Sequence, residues 1–203
     1  MLTNDSGVKP PAVFSTTERR VALEKRRRVA EKSREEMQRE LLTSEVTGLP
    51  NRRAFDEAGV ALAVAMCDVD GLKALNNYGY ETGNAALRAM ADALREVGLE
   101  AYHDKGDEFL CRDRDKKQLN AKLQRAKAIL RGRTIPVQRA DGSNVSIRGA
   151  DFSYGVGKDL YEAELRLKDH KTRRESRGEI ERGELRGIIL KIRKARPHSL
   201  DLR

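Results

Sequence analysis

The chain has 203 residues, 38% of them hydrophobic and 36% charged, with a formal net charge of +9 and a mean hydropathy of −0.69. That is apolar material for one ordinary domain with extensions, and too much for a chain disordered throughout. No stretch approaches the roughly 20 consecutive apolar residues of a bilayer span, and the polar start holds no apolar segment of a secretory signal, so a cytoplasmic protein is expected.

The charge is unevenly placed: +3 over residues 1–42, −1 over 43–165 and +7 over 166–203. The middle segment is therefore the expected catalytic or binding domain, and the end of the chain carries most of the basic excess. A basic tail can meet nucleic acid or an anionic membrane, but this one lacks the interleaved aromatics that stack bases, and a solvated helix face is the competing reading. The two cysteines, Cys67 and Cys111, sit in apolar runs without paired metal-site spacing and read as buried reduced thiols.

In chain order, residues 1–15 with Pro10, Pro11 and Gly7 read as a disordered leader. Thr16 or Thr17 can cap a helix running to about Leu42 with neither Gly nor Pro inside it. Its apolar positions are too sparse for a clear heptad seam, yet such a helix can set how two copies of the following domain meet. Thr47-Gly48-Leu49-Pro50-Asn51 reads as a turn entering a second helix. The run from Val60 to Cys67 reads as a strand buried on both faces, stopped by Asp68-Val69-Asp70-Gly71. Helical spacing returns at Ala85, Leu87, Met90, Ala91, Leu94 and Val97, with Gly98 as the stop. Ala101–His103 and Phe109–Cys111 then bracket Asp104-Lys105-Gly106-Asp107-Glu108, a hairpin whose turn carries acids. A helix over Lys117–Leu130, a hairpin with Asp141-Gly142 at its tip, a strand at Phe152–Val156 and a basic helix from Asp159 complete the domain. The alternation argues for an α/β or α+β sandwich on one main sheet.

Two acidic turns, Asp68/Asp70 at the end of the buried strand and Asp107/Glu108 in the hairpin, would make an oxygen-rich pocket if their strands are neighbours. Hard divalent cations want such a pocket, and Mg²⁺ takes one or two carboxylates while leaving positions for substrate phosphate. A polar turn is the plain alternative for either motif alone.

Four segments in order carry a resemblance: Thr47-Gly48-Leu49-Pro50-Asn51-Arg52-Arg53, Asp68-Val69-Asp70-Gly71-Leu72-Lys73-Ala74-Leu75-Asn76, Lys105-Gly106-Asp107-Glu108-Phe109, and Phe152-Ser153-Tyr154-Gly155-Val156 followed by the helix of Leu167 and Lys171. Over about residues 43–175 the chain resembles the GGDEF family of diguanylate cyclases, in a divergent form with a KGDEF signature. The resemblance implies a nucleotidyl-cyclase-like palm, a central mixed β-sheet flanked by helices, preceded by an N-terminal signalling or dimerising helix at 16–42. The catalytic domain is then 43–177, with a basic extension over 178–203.

It also implies two Mg²⁺ ions per site, with Mn²⁺ as an alternative, held by Asp68, the Val69 carbonyl and Asp107. Asp107 assists deprotonation of an attacking 3′-hydroxyl and Glu108 is its supporting acid. The Leu72 and Lys73 amides with the Lys73 and Lys171 ammonium groups match positions that grip β- and γ-phosphates. Gly106 lets the backbone approach the triphosphate, and Asn76 and the position of Asn84 face guanine. Two GTP would be joined in a homodimer into cyclic di-GMP and pyrophosphate.

Departures from the family pattern carry their own implications. Lys105 replaces the first signature glycine and either adds a phosphate contact or blocks one. The loop Asn76-Asn77-Tyr78-Gly79-Tyr80 is one residue short. Asn84 stands where the family has an Asp, and an amide cannot accept from guanine N1–H and N2–H together as a carboxylate does. An altered base selectivity, yielding cyclic GMP-AMP or similar, and a degenerate domain that binds GTP or a partner without turnover are the alternatives. The arginine expected after Lys171 falls on Glu175, with Arg173 or Arg174 as substitutes. The inhibitory Arg-x-x-Asp motif falls on Glu96 and Leu99, so no product binding is expected there. Ser44 stands where an Asp usually precedes the Thr-Gly-Leu turn, and His103, His170 and His198 read as structural or surface groups.

Overall fold

The computed structural model describes residues 16–179 and 188–193. The chain divides into two units, at Leu41/Leu42. The first holds all but the last residue of helix α1 (Thr16–Leu42), whose described side chains from Arg20 to Leu41 are exposed; Val21, Leu23, Val29 and Met37 each show more than half their surface. The expected leader at 1–15 lies outside the described residues.

The second unit runs α2 (Arg52–Glu57), β1 (Ala63–Val69), α3 (Leu72–Asn76), α4 (Tyr80–Glu96), β2 (Glu100–Lys105), β3 (Glu108–Asp113), α5 (Lys116–Gly132), β4 (Thr134–Gln138), β5 (Asn144–Arg148), β6 (Phe152–Gly157), α6 (Leu160–Ser176) and β7 (Ile189–Arg193). Side chains start three of the helices: Asn51 accepts from the Ala54 N–H at α2, Asp115 from Gln118 at α5 and Asp159 from Glu162 at α6. The main sheet has the order β2-β3-β1-β6 with antiparallel pairings throughout. Among the described residues its mixed character rests on one parallel bridge, between Asn51 and His103 at the edge of β2.

Strand alternation explains the layers. Ala63, Ala65, Cys67 and Val69 point to one face, where they join Met90, Leu94, Leu123 and Phe109 in a core covered by α4 and α5. Val64, Met66 and Asp68 point to the other, where Val64 meets Phe55, Tyr102 and Leu110 beneath α2 and where α6 packs. Gly155 pairs with Met66, so it shares that face, and a Cβ on it would fall 2.2 Å from the Ala163 carbonyl oxygen and 2.3 Å from the Leu167 nitrogen. A glycine there lets α6 lie directly on β6. Cys67 and Cys111 are buried free thiols. Burial raises the Cys67 thiol well above its ordinary range, as its apolar setting suggests.

The strand is shorter than the apolar run that announces it. Val60 and Leu62 are exposed, because pairing with β3 starts only at Ala63 opposite Asp113 and the residues before it form a connector after Gly59. The second sheet, of order β4-β5-β7, adds residues 189–193 of the basic extension to the β4–β5 hairpin.

Candidate functional site

The β1–β3 ladder fixes the site. Asp68 pairs with Glu108, and the Val69 N–H donates to the Asp107 carbonyl at 3.0 Å, so the two acidic turns lie side by side at one end of the sheet. Asp68 shares its face of the sheet with α6, and the Lys171 ammonium sits 2.6 Å from its Oδ2. Burial pushes the Asp68 carboxyl up to about 6; Lys171 pulls it back, while the charges of Asp107 and Asp70 push it further up. The structure thus brings Asp68, Asp107, Glu108 and Lys171 into one corner. Among the described residues no group of three or more His, Cys, Asp or Glu side chains gathers as a complete metal cage. Two mutually repelling carboxylates on rigid backbone nonetheless suit Mg²⁺, which takes one or two such ligands and completes its shell with water and phosphate oxygens.

Glycine supplies the two turns. Gly71 (φ 72°) ends β1 and opens α3, and Gly106 (φ 53°) turns β2 into β3; both lie in the left-handed region that side chains disfavour. His103 braces the second turn. Its Nε2 lies 3.1 Å from the Gly106 carbonyl, which can only accept, so Nε2 carries the proton and Nδ1 accepts from the Ser44 hydroxyl at 2.7 Å. The ring stacks on Phe109 at 4.7 Å. Lys105 extends into solvent, three-quarters exposed, 3.7 Å from the Glu108 carboxylate.

Asp70, the second acid of the strand end, serves a different purpose. Its Oδ2 lies 2.6 Å from Arg174 Nη1, and Ser153 donates to its Oδ1 at 2.9 Å. Arg174 is 4% exposed and reaches Asp151 at 2.7 Å through Nη2. Burial alone would raise the Asp151 pKa, but Arg131, Lys127 and Arg174 outweigh it and hold the carboxyl below its usual range. Arg174 is therefore a buried structural cation and not a substitute for the expected phosphate-binding arginine; Arg173 is exposed and pairs with Asp169. The sequence carried one signal for this cluster, the i,i+3 spacing of Lys171 and Arg174 on one helix face. His170 is structural too, its Nδ1 within 3.1 Å of the Tyr154 backbone, and burial lowers its pKa.

The remaining expected residues surround α3 and the start of α4. Leu72 and Lys73 form the first turn of α3, with Lys73 exposed. Asn76 ends α3 against α4, where a Cβ on Gly83 would fall 1.9 Å from its Oδ1, and half-buried Asn84 follows directly. These groups sit apart from the Asp68 corner in sequence, and α3 connects them to it in five residues. Of the inhibitory-motif positions, Glu96 pairs with Arg133 and Leu99 is buried. His198 lies outside the described residues.

Comparison with known proteins follows this geometry. No family model matches the chain. Over 84 residues it is 39% identical to diguanylate cyclase VdcA of Vibrio cholerae, an alignment that takes in 36% of this chain and 25% of that protein, so the chain spans about a quarter of its relative's length. The FimX GGDEF domain of Pseudomonas aeruginosa superposes with a TM-score of 0.55 at 21% identity, over 65% of this chain and 94% of that one. Diguanylate cyclase SiaD of the same organism, solved with its activator SiaC, gives 0.53 at 23% identity over 77% and 71%. The structural likenesses establish a shared fold. No described helix is long and apolar enough to cross a membrane.

Proposed function

We propose that the chain is a GGDEF-type nucleotidyl cyclase condensing two GTP into cyclic di-GMP and pyrophosphate, a reading that its similarity to a diguanylate cyclase and its shared fold support. The observation that supports this reading most is the meeting of Asp68, Asp107 and Lys171 at the end of β1. Asp68 and Asp107, with the Val69 carbonyl, would hold two Mg²⁺; bound there, the ions would act as Lewis acids toward phosphate oxygens. Lys171 and Lys73 would meet the triphosphate's negative charge, and fixed cations lower the barrier to displacing pyrophosphate. Leu72 and Lys73 offer first-turn amides of α3 to the same phosphates.

In the reaction a 3′-oxygen bonds to the α-phosphorus of a second nucleotide and the α–β phosphate bond breaks. Asp107 receives the hydroxyl proton and Glu108 supports it. Each domain presents one nucleotide, so turnover requires a homodimer.

Asn84 favours a second reading, in which the mechanism stands and the base is relaxed. Incubating the protein with Mg²⁺ and GTP, ATP or both, and resolving products by mass, separates the readings. Cyclic di-GMP from GTP alone is expected, and Asp107→Ala should abolish it without lowering the unfolding midpoint. Mixed or adenine-containing product supports the second reading. Measurable GTP binding with no product from any pair overturns both in favour of a non-catalytic domain.

A further inference from the structure

Strand β4 lays an alternating face on α4: Ile135 and Val137 are buried, while Thr134, Pro136 and Gln138 are exposed. Its direction is antiparallel to the helix, since Arg133 donates to the Ala89 carbonyl and pairs with Glu96 near the helix C-terminus. Two residues past Val137, the same face delivers Arg139 to the opposite end of α4. There a Cβ on Gly79 would lie 2.8 Å from Glu81 Oε2, 3.5 Å from Arg139 Nε and 4.0 Å from Nη2. Gly79 has φ 108° and precedes α4, so the one-residue-short loop runs side-chain-free backbone between this guanidinium and the Glu81 carboxylate.

Gly79 is the cap residue before α4 and Gly83 lies in the helix four residues on, about one turn away. Arg139 stands at the first and Asn76 at the second, with Asn84 beside it. The Nη1 end of Arg139 is anchored on its own hairpin, 3.4 Å from Asp141 Oδ2 and 3.4 Å from Ser143 Oγ. The Nε–Nη2 edge is the one turned to the loop.

We propose that Arg139 is a specificity-determining residue that reads the base, donating through this edge to the O6 and N7 acceptors of guanine. The assignment rests on the nucleotide-binding reading above. Two amides, Asn76 and Asn84, cannot distinguish guanine from adenine sharply, because either amide can present a donor or an acceptor. An arginine edge has no such freedom. It donates twice, which matches O6/N7 of guanine and opposes the N6 amino group of adenine. Arg139 thus replaces the discrimination lost with a carboxylate at position 84.

The test is equilibrium binding to the full chain of 3′-deoxy-GTP, 3′-deoxy-ATP and 3′-deoxy-7-deaza-GTP, none of which can be cyclised. Wild type should prefer guanine, and the 7-deaza nucleotide, lacking N7, should bind more weakly. Arg139→Met and Arg139→Lys should each lose roughly 5- to 150-fold of the guanine preference, the span of one bidentate base contact. Both should also bind 7-deaza and natural guanine alike. The lysine keeps the charge without the fork, so its failure to rescue separates base reading from general attraction to phosphate.

The 7-deaza comparison needs no substitution and stands even if a variant folds poorly. Undiminished guanine preference in both variants, or equal binding of the 7-deaza nucleotide by wild type, overturns the role of Arg139 and leaves the nucleotide reading intact. Wild type that favours adenine also overturns it. Wild type that binds no purine triphosphate overturns both.

Discussion

Replacing Arg174 by methionine tests the account of the strand end most directly. The arginine side chain is 5% exposed, and its partners Asp70 and Asp151 are 10% and 11% exposed. Removing one partner of a buried pair costs about 3–5 kcal/mol, because the other charge remains buried. Asp151 keeps Lys127 at 3.1 Å and Arg131 at 2.6 Å, so the loss concentrates on Asp70, left with the Ser153 hydroxyl. The lower end, about 3 kcal/mol, is therefore expected. In a domain of this size that lowers the unfolding midpoint by roughly 6–12 °C.

Urea unfolding with chelator present, on wild type, Arg174→Met, Asp70→Asn and the double variant, measures the pair. The double variant should be more stable than the sum of single losses by about 1–3 kcal/mol, since it no longer buries an unpaired carboxylate. A single-variant loss below about 1 kcal/mol, or strict additivity, would refute the claim that Asp70 is held by Arg174.

Two other outcomes follow from the same geometry. In the absence of divalent cations, Asp68→Asn should become more stable relative to wild type as pH rises. The folded-state pKa of Asp68, about 6, lies above its ordinary 3.8, so wild type is at no disadvantage below pH 4 and loses about 3 kcal/mol by pH 7.5. A stability difference that stays flat across that range, measured by denaturant unfolding at several pH values, would show that burial does not penalise the charge. Gly155→Ala should cost about 1–3 kcal/mol, because its Cβ meets α6 backbone that cannot rotate away; an unchanged unfolding midpoint would contradict the direct packing of α6 on β6.

What the sequence revealed and what it concealed divide along physical lines. The acid-stopped apolar run announced β1, and Asp159 announced the basic helix it caps, because these signals are local. Val60 and Leu62 misled, since an apolar run does not say where its hydrogen-bonding neighbour begins, and pairing starts only at Ala63. The motifs singled out Asp68, Asp107 and Lys171, which the structure brings together, whereas Arg174, offered with Arg173 as a substitute for the missing arginine, turns to buried acids. Whether an arginine faces solvent or a buried acid depends on what packs against its helix, and Asp70 and Asp151 lie 104 and 23 residues away. Arg139 gave no signal, because its place depends on how far β4 runs along α4.

The two acids at the end of β1 need counter-charge, and the chain supplies it in two different forms. Asp70 is matched by an arginine that cannot lose its proton, is almost wholly buried and divides its donors among three carboxylates, Asp70, Asp151 and Glu179. That pairing fixes α6 against the sheet. Asp68 is matched by a lysine, a compact charge on a flexible stem, about a third exposed and one turn earlier on the same helix. A single ammonium can shift toward a phosphate when a divalent cation takes over its carboxylate, whereas the Arg174 fork has no route out. The division assigns Asp70 to architecture and leaves Asp68, on the proposed reading, to exchangeable cations. It also explains why Asp68, though paired, has its pKa raised: one partly solvated ammonium offsets burial only in part.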